Sequence, residues 1–146
     1  MTLSKSSRAI LLSLIFVSMA GCSRGSEPPE PLRMWAIEFG TEVDAASRVP
    51  SPTRTFTPQS TVYASIETRG VGKGTLVVEW TVGTPATIVS TERRDVDTTE
   101  PAHFAFHFAP PEGWPVGTNR VRFGLEGAEH VEGEAAEKHV AEFQVE

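Results

Sequence analysis

One cysteine in 146 residues, Cys22, leaves no partner for an internal disulfide, so the fold must be held by its core. The one pronounced apolar segment, Ala9 to Ala20, is 12 residues long. A transmembrane helix takes about 20, and the polar stretch SRGSEPPEP that follows Cys22 cannot extend it. Basic residues are also scarce. With Lys5 and Arg8 set aside, 11 of the 13 Lys and Arg face all 19 Asp and Glu, a formal charge of −8. Such a domain has no general attraction for nucleic acid or for anionic lipid, and no basic stripe with interleaved aromatics argues otherwise. From Leu32 onward there is no convincing 3.6-residue period. GAEHVEGEAAEK, Gly127 to Lys138, tolerates a helix, but Gly133 interrupts it.

Catalytic signatures are missing as well. The serines cluster in the N-terminal segment and the irregular stretches, and no G-x-S-x-G turn occurs. Gly70, Gly72 and Gly74 join two strands and precede no helix, so they do not form a phosphate loop. Asp95 and Asp97 read as members of a charged loop that keeps an edge soluble. The expectation is a protein without catalytic residues and without a cofactor.

What is present begins with an address. Lys5 and Arg8, an apolar core and the small residues Gly21-Cys22 describe a secretory signal. The tetrapeptide Met19-Ala20-Gly21-Cys22 resembles the lipobox of bacterial lipoproteins, with Met19 where Leu is usual. That resemblance implies cleavage before Cys22 and acylation of its thiol, palmitate included. One acyl chain binds a bilayer only marginally, at about 0.8 kcal/mol per buried methylene, whereas two or three hold a protein there. Ser23 in place of an Asp implies, by the same resemblance, the periplasmic face of the outer membrane over the inner membrane. The chain divides into a signal at 1–21, a lipidated tether at 22–31 and a domain at 32–146.

In that domain the period is two, the mark of half-buried strands. Trp35, Ile37 and Phe39 share one face, as do Val62, Ala64 and Ile66, and then Leu76, Val78 and Trp80. A short run, Thr87 to Ser90, leads into charged TERRDVD. Phe104, Phe106 and Phe108 oppose His103 and His107. Val121, Phe123 and Leu125 oppose Arg120 and Arg122, and Ala141, Phe143 and Val145 close the series. Seven amphipathic strands predict an all-β, antiparallel two-sheet sandwich. Thr41 to Gln59, with three prolines and no period, is expected to wrap the edge of the fold.

Three segments, Thr61 to Ser65, Leu76 to Trp80 and the corner Gly113-Trp114-Pro115-Val116-Gly117, resemble bacterial immunoglobulin-like domains. The resemblance implies a seven-stranded immunoglobulin-like sandwich with Trp80 in the core. Where such corners carry a tyrosine, this chain has Asn119, suited to a local side-chain-to-backbone bond. The function expected is that of a membrane-anchored, non-catalytic lipoprotein that binds an unidentified protein or serves a structural role. Cys22 is the lipidation site. Trp114, in its Pro- and Gly-rich corner, either plugs the end of the sandwich or, exposed, joins Glu129, Glu132 and Glu134 of the acidic segment as a candidate partner contact. The alternative is periplasmic copper or zinc binding by His103, His107, His130 and His139. His103 and His107 stand four residues apart on one strand, roughly 13 Å, and cannot both ligate one ion. Soft-metal sites favour Met and Cys, and Met34 is the only methionine after the signal.

Overall fold

The structure is a computed structural model that describes residues 25–128 and 137–146. Its strands are β1 (Arg33–Gly40), β2 (Thr55–Phe56), β3 (Val62–Arg69), β4 (Gly72–Val82), β5 (Thr87–Thr98), β6 (Ala102–Phe108), β7 (Gly117–Glu126) and β8 (Glu137–Val145). They form two open sheets, one ordered β1-β3-β6 and the other β2-β8-β7-β4-β5. Every pairing is antiparallel except β2 with β8. The seven long strands match the seven alternating runs. The two-residue β2 is an addition inside Thr41–Gln59, too short to show a period. Through it that segment does wrap the fold, leaving the first sheet after β1 and pairing with the edge of the second.

One continuous core joins the sheets. Ala64, Ile66 and Phe106 of the smaller sheet pack with Leu76, Val78, Trp80, Val121, Phe123, Leu125 and Phe143 of the larger. Aromatic rings form a chain through it. Phe39 lies 5.6 Å from Phe143, Phe143 lies 5.0 Å from Trp114, and Trp114 lies 6.1 Å from Trp80. Rings at these separations favour tilted and edge-on contact, as seen here, over face-to-face stacking.

Two expectations need correction. Trp35 does not share the buried face of Ile37 and Phe39. The register shifts between Met34 and Ala36, so that Met34 pairs with Thr68 and Ala36 with Glu67. Such an irregularity breaks the two-residue alternation: Met34 turns inward and Trp35 is left 49% exposed. Asp95 and Asp97, in turn, do not sit in a loop, because β5 runs unbroken through TERRDVD to Thr98. A strand with a neighbour on one side only can carry charge on both faces. Within this run only Val96 and Thr98 are buried.

Strand directions sort the connections into two ends. The start of β1, the β3–β4 turn, the β5–β6 turn, the end of β7 and the start of β8 lie at one end, where the chain enters. The β4–β5 turn, the β6–β7 corner and the loop after β1 lie at the other.

Candidate functional site

At the entry end the chain is fastened before β1 begins. The Val71 amide donates to the Glu30 carbonyl at 2.9 Å, and the Leu32 amide donates to the Val71 carbonyl at 3.2 Å. The final residues of the proline-rich segment before β1 therefore belong to the edge of the fold. Gly70 makes this possible: its φ is +91°, and an added Cβ would be driven into the Pro31 carbonyl. Beside this junction Arg33 pairs with Glu30 at 2.9 Å and Arg69 with Glu67 at 2.8 Å. Their guanidinium carbons lie 4.9 and 4.0 Å from the Trp35 ring centroid. The extra residue of β1 thus becomes an exposed aromatic between two cations.

Trp114, read from the sequence either as a plug for the end of the sandwich or as an exposed partner contact, is the plug. It is 2% exposed, with its indole N–H donating to the Ser60 carbonyl at 2.9 Å. Its ring closes the end of the core against Phe108 and Phe143. Gly113, at φ +80°, leaves room for the Pro58 carbonyl that accepts the Trp114 amide at 2.8 Å. Asn119 makes the expected local bonds, donating from Nδ2 to the carbonyls of Pro115 at 2.9 Å and Gly117 at 3.3 Å. Trp80 is fully buried, as expected.

The three described histidines are dispersed. His103 on β6 lies 3.5 Å from the Ser65 hydroxyl, and His107 stacks on Tyr63 at 5.2 Å. His139 belongs to the other sheet, where its Nε2 lies 2.8 Å from Glu137 Oε1. Among the described residues no group of three or more His, Cys, Asp or Glu side chains converges as metal ligands would. Cys22, Glu129, His130, Glu132 and Glu134 lie outside the described residues. The flanks of the acidic segment are engaged. Glu126 pairs with Arg93, whose pKa is raised by that hydrogen bond and then by the Glu126 charge. Glu137 also accepts the Met34 amide at 2.9 Å across the seam between the sheets.

Sequence reasoning missed two surface features. One is the outer face of the larger sheet, where a shallow depression of about 400 Å³ lies over Val77 and Gly124, bordered by Glu79, Arg122, Glu126 and Lys138. The other is the 12-residue outer edge of β5, last in its sheet, with both signs of charge on Glu92, Arg93, Arg94, Asp95 and Asp97. Each depends on which strands become neighbours, which local periodicity does not report.

No protein-family model and no curated protein matches the chain. Among solved structures it is similar to a β-glucosidase from Listeria innocua in complex with isofagomine, with a TM-score of 0.44 and 12% identity. The likeness covers 80% of this chain and 16% of that one.

Proposed function

We propose that this protein is a bacterial lipoprotein, acylated on Cys22, whose immunoglobulin-like sandwich serves as a non-catalytic binding or structural module of the cell envelope. The observation that carries the reading is a distance along the chain. Cys22 ends a signal-like segment and stands eight residues ahead of Glu30, where the chain docks into the fold. A short proline-rich spacer between a lipid and a folded unit is what an anchor requires. The strand order, three against five with Trp80 on the third long strand, supports the immunoglobulin-like assignment. Ser23 in place of an Asp supports, by the resemblance to bacterial lipoproteins, periplasmic exposure at the outer membrane.

Contact with a protein partner is assigned to the β5 edge. Backbone groups there are open to strand addition, while its dense charges of both signs select against indiscriminate pairing. Labelling of cells with a palmitate analogue tests the anchor: wild type takes up label and Cys22→Ala does not. An unlabelled wild type, or a labelled Cys22→Ala, overturns it. Crosslinking in the producing cells, read by mass spectrometry, is expected to place a partner on residues 87–98.

A further inference from the structure

We propose that the exposed Trp35, flanked by Arg33 and Arg69, is the domain's contact with the membrane, seated among the headgroups of a zwitterionic glycerophospholipid bilayer. This rests on the anchoring proposed above and adds to it an orientation and a lipid chemistry.

Geometry limits which end can face the lipid. Eight residues from Cys22 to Glu30 reach at most about 29 Å when fully extended. β4 alone, at 11 residues, is about 36 Å long. With Glu30 fastened to Val71, an anchored domain cannot invert to set its far end on the bilayer. The entry end is therefore the one the tether holds nearest the membrane, and at that end the large exposed aromatic is Trp35, which the register shift in β1 turns outward.

The chemistry of the cluster narrows the surface. An indole ring, apolar with one N–H, settles at headgroup depth, and guanidinium groups bind phosphate oxygens in paired fashion. Arg33 uses Nη2 for Glu30 and Arg69 uses Nε for Glu67; their other nitrogens have no partner among the described residues. Carboxylates alternate with these cations: Glu30, Glu67, and Asp97 beside Lys73. A surface of both signs matches a headgroup that carries phosphate and ammonium together. The acidic domain would be repelled by an anionic bilayer.

The test uses the full chain as processed and lipidated by cells, reconstituted into vesicles of phosphatidylethanolamine and phosphatidylcholine with brominated acyl chains. Trp80 and Trp114 are buried, so bromine quenching reports Trp35. We expect a blue shift and partial quenching of the emission, both lost in Trp35→Phe, and no gain on adding phosphatidylglycerol. Emission identical in brominated and plain vesicles, with palmitate label present on Cys22, overturns the contact and leaves the anchor standing. Quenching that requires phosphatidylglycerol overturns the zwitterionic surface. Absence of label on Cys22 overturns anchor and contact together.

Discussion

Three tryptophans in this chain have three different tasks, each set by the atoms around the ring. Trp80 is enclosed between the sheets, and its indole N–H reaches Glu92 at 3.1 Å. Trp114 comes from a corner, not a strand, and fills the end of the core. Trp35 stands outside, stacked on guanidinium groups. Truncating a buried aromatic removes its contacts and leaves a cavity, which typically costs about 3–5 kcal/mol. Trp114→Ala is therefore expected to lower the urea unfolding free energy by about that amount, and Trp35→Ala by less than about 1 kcal/mol. Equal losses in the two variants would contradict these placements. Asn119 was legible because its alternative, a tyrosine, would have tied the same corner. The burial of Trp114 was legible only as one of two readings, since a Pro- and Gly-rich corner offers no period from which to read a face.

At the scale of single elements, edges and junctions carry the information. β5 tolerates charge on both faces because nothing among the described residues pairs with its outer side. Its charges meet partners on β4 and β7, as in Lys73–Asp97 at 3.1 Å and Arg93 with Glu126. Pairs this exposed contribute little to stability. The loop after β1 is fixed locally by Asp44, whose carboxylate accepts the Ala46 and Arg48 amides at 2.8 and 2.9 Å. Its Ser47 carbonyl then accepts the Ser65 hydroxyl at 2.6 Å, which seats the loop on the smaller sheet. The β3–β4 junction is the sharpest test of element-level reasoning. In Gly70→Ala the new methyl meets the Pro31 carbonyl in a left-handed backbone, a mismatch expected to cost more than about 1 kcal/mol. Hydrogen exchange should then show the Val71 and Leu32 amides losing protection while the centres of β4 and β7 keep theirs. Unchanged protection at Val71 would mean that the entry segment is held by something other than this pairing.

For the molecule as a whole, the aromatic chain ties both sheets into one core, so neither sheet has an independent interior. One cooperative unfolding transition is expected, coincident by tryptophan emission and by far-ultraviolet circular dichroism, with a β-type spectrum in the folded state. Two separated transitions would show that the sheets fold apart. Period-two alternation by itself determined the all-β class and the centre of the core, from Val62, Ala64 and Ile66 to Val121, Phe123 and Leu125, but not Leu32, Met34, Phe56 or Val96. It could do so because a side chain's face in a strand depends only on its own position along the chain. The address proposed for residues 1–22 likewise rests on a local pattern. Tertiary structure alone decided that Trp35 points outward, that TERRDVD is an edge strand, that His139 is separated from His103 and His107 by a sheet, and that the last residues of the proline-rich segment are part of the fold. Those outcomes turn on which strands become neighbours and where their register slips, and pairing between distant segments leaves no periodic trace in either one.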